Sequence, residues 1–157
     1  MNKNLLKQLM RFAKDVTIAF IATVLFTQFV LQNLQVRGHS MEPTLTDGQT
    51  ILINKVYYKF NEPQVNDIVG FAVDTVEVKI VKRIIAVEGD VVDYIDGMLY
   101  VNEVAFARMD SGDIQYPFTV PEGRYFVVGD NVDSSIDSRY QLIGVICLED
   151  ILGKIVL

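Results

Sequence analysis

The sequence predicts a mostly β domain preceded by one membrane-spanning helix. An uncharged apolar run covers residues 16–34 and follows a basic N-terminal segment. From residue 36 onward, short runs rich in Val, Ile, Tyr and Phe alternate with Gly, Asp, Asn and Pro. Such runs are typical of strands joined by turns, and no 3.6-residue apolar period is evident there. The length of 157 residues suits one ordinary domain behind a membrane segment.

The N-terminal region has the charge pattern of a membrane anchor. Residues 1–15 carry four basic residues and one acidic residue, a net charge of +3. A hydrocarbon core about 30 Å thick needs about 20 helical residues, so the run at 16–34 is long enough with its flanks. Basic residues before the run predict a cytoplasmic N-terminus. We therefore expect a cytoplasmic head at 1–15, an anchor at 16–34 and an extracytoplasmic β domain at 35–157, which places the protein in the cell membrane.

A cleaved secretory signal peptide is the alternative interpretation of this region, because it shares the basic start and the apolar run. The run exceeds the usual apolar segment of a signal peptide. It is followed by QNLQVRGHS, which offers bulky or polar residues where a cleavage site needs small ones. We therefore expect a retained single-pass anchor.

Charge and composition exclude several classes of function for the body of the chain. Residues 16–157 carry 10 basic and 19 acidic residues, a net charge of −9. They lack the basic stripe that contact with nucleic-acid phosphates requires. A single cysteine, Cys147, excludes an internal disulfide framework and a multi-cysteine zinc site. We expect no nucleic acid, metal or cofactor, and the sequence does not indicate an oligomeric state.

The predicted strands follow one another without an internal repeat or a linker. Asp96-Gly97 predicts a hairpin turn between two of them. The candidates are 50–57, 67–73, 76–87, 91–95, 98–104, 113–119, 124–128, 143–147 and a last run, DILGKIVL, at 150–157.

Ser40 is the first candidate for chemistry. It lies in GHSMEPTL, residues 38–45, a few residues beyond the predicted membrane exit. The only histidine, His39, directly precedes it. Neighbouring residues of an extended chain point to opposite faces, so His39 is poorly placed as its base. An ordinary turn or capping serine is the alternative.

Lys82 is the second candidate. It lies in KIVKRIIAV, residues 79–87, and in a strand it shares a face with Ile80 and Ile84. Such a lysine either extends its amine to solvent or is desolvated. Desolvation lowers a lysine pKa and allows the neutral amine to act as a general base. The residues alone leave both interpretations open, but a Ser–Lys pair is a known alternative to the Ser–His–Asp triad.

Four sequence blocks occur in order behind the predicted anchor. They are SMEPTL at 40–45, NDIVGF at 66–71, VKRIIAVEGD at 81–90 and GDNVDSSIDSR at 129–139. In these blocks the chain resembles the single-anchor type I signal peptidases of Gram-positive bacteria. The resemblance implies a signal-peptidase-like β-fold and a membrane-anchored serine endopeptidase, a hydrolase that removes signal peptides from exported pre-proteins at the lipid bilayer without a cofactor.

The resemblance also implies roles for individual residues. Ser40 matches the nucleophile and Lys82 the general base. Ser135 matches a serine that orients the lysine, while Asp137 and Arg139 match a pair that holds the active-site loop, with Arg83 nearby.

The family's preference for small residues one and three positions before the cut implies shallow apolar pockets. Residues beside the catalytic blocks are the candidates for their lining, with ordinary β-core as the alternative: Val36, Met41, Leu45, Ile80 and Val81.

The chain departs from the family pattern at two informative positions. Val132 replaces an arginine that is common in the last block. Gly38 stands where some members place a serine hydroxyl as an oxyanion donor. We therefore expect the Ser40 N–H as one donor, and the sequence does not identify the second.

Two rival functions share parts of this pattern. The first is an assembly factor for pili or other surface proteins, with dedicated or no peptidase activity. Such relatives typically lose the serine or the lysine, and this chain keeps both. The second is a self-cleaving repressor-type domain, which the anchor and the absence of a DNA-binding helical domain disfavour.

Overall fold

The computed structural model describes residues 3–73 and 76–156 and shows one helix followed by a mostly β body. Short 3₁₀ turns lie at Tyr57–Lys59, Val132–Ser134 and Leu148–Asp150. The regular elements are α1 (Lys3–Val30), β1 (Leu31–Gln35), β2 (Thr50–Asn54), β3 (Ile68–Val73), β4 (Val76–Val87), β5 (Val91–Ile95), β6 (Met98–Val101), β7 (Val104–Arg108), β8 (Phe118–Thr119), β9 (Arg124–Val128), β10 (Ile146–Cys147) and β11 (Ile151–Val156).

The strands form two sheets, which confirms the prediction of a mostly β protein. The larger sheet has seven strands in the order β1-β2-β11-β3-β4-β9-β10. The smaller sheet has four strands in the order β7-β6-β5-β8. All pairings are antiparallel. In the larger sheet three of the six neighbouring pairs, β2–β11, β11–β3 and β4–β9, join strands that are not consecutive in the chain.

The structure does not support the prediction that residues 16–34 form one membrane-spanning helix. Helix α1 ends at Val30, because β1 pairs with β2 from Leu31–Asn54 to Gln35–Thr50. The uncharged helical part is therefore 16–30, about 22 Å long at 1.5 Å per residue. Within residues 3–73 and 76–156, no helix is both long and apolar enough to cross a membrane.

The turns decide where the strands end. Asp96 and Gly97 have φ values of 50° and 81°, and they join β5 to β6 as predicted. The predicted strand 98–104 is wrong in its extent, because Asn102 and Glu103 also have positive φ values, 49° and 66°. They form a second tight turn, from which β7 returns along β6.

Two other predicted strands are much shorter in the structure. In 113–119 only Phe118 and Thr119 are paired, since the N–H groups of Asp113 and Ile114 both donate to the carbonyl of Arg139. In 143–147 only the last two residues pair, because the N–H groups at 143 and 144 donate to the carbonyl of Tyr140. Backbone groups satisfied by a loop are not available to a sheet.

Three clusters of buried apolar residues form the core. The first cluster buries Met41 and Leu45 against strands β2, β3, β4 and β11, together with Val36. Fully burying one such side chain contributes about 1.5–3 kcal/mol to stability. This packing fixes the segment around Ser40 on the larger sheet. The second cluster joins the two sheets, and the third covers β3, β4 and β9.

Strand β4 has one edge that is only partly paired. Its pairing with β3 extends from Val73–Val76 to Ile68–Arg83. On its other edge, the pairing with β9 begins only at Arg83–Val128 and continues toward Val87–Tyr125. Among the described residues, 78–82 therefore have no strand partner on that edge, which is left open beside the segment around Ser40.

Candidate active site

Ser40 lies in a tight turn between β1 and β2. Glu42 N–H donates to the His39 carbonyl at 3.1 Å, and Leu45 N–H donates to the Met41 carbonyl at 2.9 Å. Gly38 has a φ of 86°, which favours glycine, and its N–H donates to Asp47 Oδ1 at 2.7 Å. The preceding His39 is 64% exposed and its Nδ1 lies 2.9 Å from Glu42 Oε1. The His39 side chain therefore contacts Glu42 rather than Ser40.

The carbonyl of Ser40 is tied to the loop at 129–139. Asn131 N–H donates to Ser40 O at 2.9 Å. Gly129 lies so close to Ser40 O and to the Ser135 side chain that an added methyl group would clash with both. Glycine at 129 thus lets two sequence blocks that are 89 residues apart make backbone contact.

Lys82 lies on β4 directly before Arg83, whose partner on β9 is Val128. This register places Lys82 beside Gly129, the residue that contacts Ser40. The lysine is only 3% exposed. Burial lowers the pKa of its amine to about 8, and this outweighs the nearby charge of Asp137, which raises the pKa. At pH 7 about one molecule in ten therefore carries a neutral Lys82 amine, against fewer than about one in a thousand for an ordinary lysine.

The hydroxyl of Ser40 and the amine of Lys82 are not hydrogen-bonded to each other in this structure. Among residues 3–73 and 76–156, neither group forms a hydrogen bond with another residue. Catalytic hydrogen bonds are often long before substrate is bound. The Ser40 carbonyl and the strand position of Lys82 thus lie beside Gly129, and the polar side-chain atoms of both residues have no partner among the described residues.

Ser135, Asp137 and Arg139 form a buried network behind this site. Ser135 Oγ donates to Asp137 Oδ2 at 2.6 Å. The same carboxylate accepts Arg139 Nε at 2.8 Å and Gly129 N–H at 3.1 Å. Burial alone lowers the pKa of Arg139, but hydrogen bonds and charge from Asp137 outweigh it and raise that pKa. The network therefore holds a charged guanidinium and a charged carboxylate next to Lys82.

Arg83 has a partner other than the pair formed by Asp137 and Arg139. It pairs with Asp130 through two parallel hydrogen bonds, Nε to Oδ1 at 2.8 Å and Nη2 to Oδ2 at 2.7 Å. Asp130 also contacts the Thr44 side chain. Although burial raises the pKa of Asp130, the hydrogen bonds from Arg83 and Thr44 hold it below its ordinary value. The pair joins the serine, lysine and loop blocks.

Asp130 is not among the candidate residues that the sequence analysis singles out. Its position directly after Gly129, at the start of the last block, was the available signal. The arginine 47 residues earlier gave no indication of the pairing, because that contact depends on the β4–β9 register.

A cleft of about 460 Å³ opens next to Ser40. Its walls are residues 34–37 and the open edge of β4 at 78–81, and Ser40 and Met41 complete the lining. Of the five predicted pocket residues, four line this cleft: Val36, Met41, Ile80 and Val81.

Leu45, the fifth predicted pocket residue, is fully buried in the first core cluster and is not part of the cleft lining. Val36, Met41 and Val81 belong to that same cluster, so they serve the core and the cleft together. Five residues of the lining were not singled out from the sequence: Leu34, Gln35, Arg37, Val78 and Lys79. Within the described residues, no group of three His, Cys, Asp or Glu side chains could hold a metal ion.

Comparison with known proteins assigns the chain to a family. The family model described as "Signal peptidase, peptidase S26" matches residues 9–157. The chain belongs to this family. It is 34% identical to signal peptidase I T of Bacillus subtilis, over 92% of this chain and 81% of the relative. It is 32% identical to thylakoidal processing peptidase 1 of Arabidopsis thaliana, over 90% of this chain but only 46% of that relative.

Among solved structures, a signal peptidase I from Enterococcus faecalis matches with 30% identity and a TM-score of 0.48, covering 60% of this chain and 97% of that one. Family membership makes the chain a serine peptidase, a hydrolase of the kind that removes signal peptides. These relatives give no support to a surface-assembly factor.

Val132, which stands where the family commonly has an arginine, contacts both the buried network and the core. The carbonyl of Val132 accepts a hydrogen bond from Arg139 Nη2 at 3.1 Å. Its side chain packs against the second core cluster, which joins the two sheets. Val132 thus contributes a backbone acceptor to the buried network and an apolar contact to the core.

Gly38 has no side-chain hydroxyl, so an oxyanion donor at this turn must come from the backbone. Ser40 N–H makes no hydrogen bond to another described residue, so it is available to a ligand. Gly38 N–H is already committed to Asp47. The role of the Ser40 N–H as an oxyanion donor stays a prediction.

Proposed function

We propose that this chain removes signal peptides from exported pre-proteins with a catalytic dyad formed by Ser40 and Lys82. The observation that carries the dyad is the buried lysine. Lys82 is only 3% exposed and the pKa of its amine falls to about 8, beside the loop that contacts the Ser40 backbone. A serine hydroxyl needs a base, and a neutral amine supplies one without histidine.

The reaction proceeds in two halves through an acyl-enzyme. Neutral Lys82 accepts the proton of Ser40 Oγ as that oxygen attacks the scissile carbonyl carbon. The Ser40 N–H donates to the oxyanion that forms. The Lys82 ammonium then protonates the leaving amine as the C–N bond breaks. In the second half Lys82 deprotonates a water, which attacks the ester carbonyl carbon. As the ester C–O bond breaks, the Lys82 ammonium returns the proton to Ser40 Oγ, so that free Ser40 and neutral Lys82 are restored.

Closure of the Ser40–Lys82 contact accompanies substrate binding in this proposal. A peptide in the cleft excludes water from the Lys82 amine, which favours formation of a hydrogen bond between that amine and Ser40 Oγ. Ser135 and Asp137 hold the wall behind the lysine, because their hydrogen bond at 2.6 Å is fully buried.

The cleft suits an extended peptide. The open edge of β4 at 78–82 presents unpaired backbone groups, to which a peptide can add as a further strand. The apolar lining from Val36, Met41, Ile80 and Val81 then receives small side chains one and three positions before the cut.

We propose a lipid bilayer as the partner of α1, with the N-terminus in the cytoplasm and the β body outside. The helix exposes apolar side chains on every face, with Phe12, Phe20 and Phe29 each 69% exposed. The uncharged part of this helix, 16–30, is largely apolar on every face and is stabilised by an apolar environment. Ser40 follows Val30 by ten residues, so the chain confines it within about 35 Å of the helix end. Protease added outside right-side-out vesicles should digest the body and spare the N-terminal head.

The catalytic test uses the full chain in detergent micelles and a pre-protein with an Ala-x-Ala cleavage site. We expect one cut directly after the second alanine, mapped by sequencing the product N-terminus. Ser40→Ala and Lys82→Ala should each abolish this cut and retain the circular dichroism spectrum of the parent. Lys59→Ala, at an exposed lysine outside the site, is the matched control and should keep full activity. Full activity in either dyad variant would disprove the assignment.

A further inference from the structure

Half of the ten basic residues beyond residue 15 have a side-chain partner among the described residues. Arg83 pairs with Asp130, Arg139 with Asp137, and Lys154 with Asp67. Acidic residues outnumber basic ones by 19 to 10 beyond residue 15, so carboxylates are abundant. The side chains of Arg37 and Lys79 form no hydrogen bond or ion pair with any residue in 3–73 or 78–156.

These two unpaired cations lie in the same place. Both line the cleft beside Ser40, and they are the only charged residues among its lining. Arg37 belongs to the wall at 34–37, and Lys79 belongs to the open edge of β4 at 78–81. The lining is otherwise apolar except for Gln35 and Ser40. The cleft therefore carries positive charge on both walls in a body of net negative charge.

We infer that Arg37 and Lys79 select substrates with an acidic side chain in the segment that precedes the cut. This inference rests on the proposed function, because it assumes that the cleft binds the pre-protein. A carboxylate on the bound peptide supplies the partner that both cations lack within the described chain, and complementary charge at a binding surface gives specificity.

The placement of the cleft indicates which side of the cut is selected. The wall at 34–37 continues β1, which begins directly after α1. A signal peptide held in the bilayer beside α1 enters from this end, with its N-terminal part nearest to the helix. Lys79 is three residues from Lys82 along β4, about 10 Å at 3.3 Å per residue. The selected acidic side chain therefore lies about two to five residues before the cut. Position three takes a small side chain, which leaves positions two, four and five.

The expected effect is moderate, because both cations are exposed. Exposed ion pairs are weak individually, so two of them correspond to about a 3- to 10-fold preference in kcat/KM. The preference acts through KM, since the carboxylate is bound equally before and during the reaction. It falls at 1 M salt, where the Debye length is about 3 Å.

The test compares peptides that differ only at one position before the cut, where Glu, Gln or Lys is placed in turn at positions two, four and five. We expect the parent enzyme to prefer Glu over Lys at one of these positions. Arg37→Gln combined with Lys79→Gln should remove the preference, and Arg37→Glu combined with Lys79→Glu should reverse it. Arg124→Gln removes an exposed cation outside the cleft and is the matched control, which should keep the parent preference.

Three results would overturn the inference. The first is equal cleavage of the Glu and Lys peptides, and the second is a preference that survives the double Gln substitution. The third is an effect of the double substitution that appears only with anionic vesicles, which would assign the two cations to lipid phosphates. If the Gln peptide is cut and Ser40→Ala abolishes the cut, the proposed function stands whichever result is obtained.

Discussion

Replacing Lys82 by Met should stabilise the protein while it abolishes cleavage. Burial lowers the pKa of Lys82 from 10.5 to about 8. At neutral pH the folded protein therefore holds a buried ammonium that the unfolded chain would solvate. The lowering corresponds to about 3 kcal/mol at 1.36 kcal/mol for each pH unit. Methionine has a similar length and carries no charge, so it removes this cost.

The stability difference between Lys82→Met and the parent depends on pH, because Lys82 titrates at different pH values in the folded and unfolded chains. Between pH 8 and 10.5 the unfolded lysine binds a proton and the folded one does not, so the stability of the parent rises with pH. The advantage of Met is therefore complete below pH 8 and disappears above 10.5. We expect Lys82→Met to raise the free energy of unfolding by about 3 kcal/mol at pH 7 and by about 1.4 kcal/mol at pH 9.5.

Urea unfolding of the full chain in micelles, followed by circular dichroism, measures this difference. The chain has no tryptophan, so tyrosine fluorescence is the second probe. Lys59→Met, at an exposed lysine, is the matched control and should change stability by less than about 0.5 kcal/mol. A variant Lys82→Met that is no more stable than the parent at pH 7 would refute the argument that this lysine is held at a cost in stability.

Three further predictions concern the same site. The kcat/KM of the parent should rise about tenfold from pH 7 to 9 with an apparent pKa of about 8, and a flat profile in initial rates would contradict Lys82 as base. Asp137→Asn should lower the free energy of unfolding in urea by about 3–5 kcal/mol, because Arg139 loses its buried partner. The same change should move the apparent pKa of kcat/KM to lower pH, because Asp137 raises the Lys82 pKa. Gly129→Ala should lower kcat/KM at least tenfold, since its methyl clashes with Ser40 and Ser135.

Much of the site was predictable because its residues occur in compact sequence blocks. Ser40, Lys82, Ser135, Asp137 and Arg139 were each singled out by a block, and the structure places them around Gly129 or directly behind it. Asp130 was not predicted. Its partner Arg83 is 47 residues away, and a turn aspartate in solvent has the same local sequence as one in a bidentate ion pair.

The pocket predictions show the same limit. Val36, Met41, Leu45, Ile80 and Val81 share apolar character and proximity to the blocks. Four of them line the cleft, while Leu45 turns entirely into the core. Apolar character predicts burial, but the direction of each side chain follows from the turn at 38–45 and from the pairing of β4.

The sequence by itself determined the class of the protein and its candidate chemistry. Short runs of Val, Ile, Tyr and Phe between turn residues specify strands locally, and four ordered blocks specify a family. The tertiary structure decided where α1 ends and which charges pair. Residues 31–35 leave the helix because Thr50–Asn54 offer them a strand partner, and Arg37 and Lys79 stay unpaired among the described residues while Arg83 does not. Each of these outcomes depends on contacts between distant parts of the chain, which local sequence does not encode.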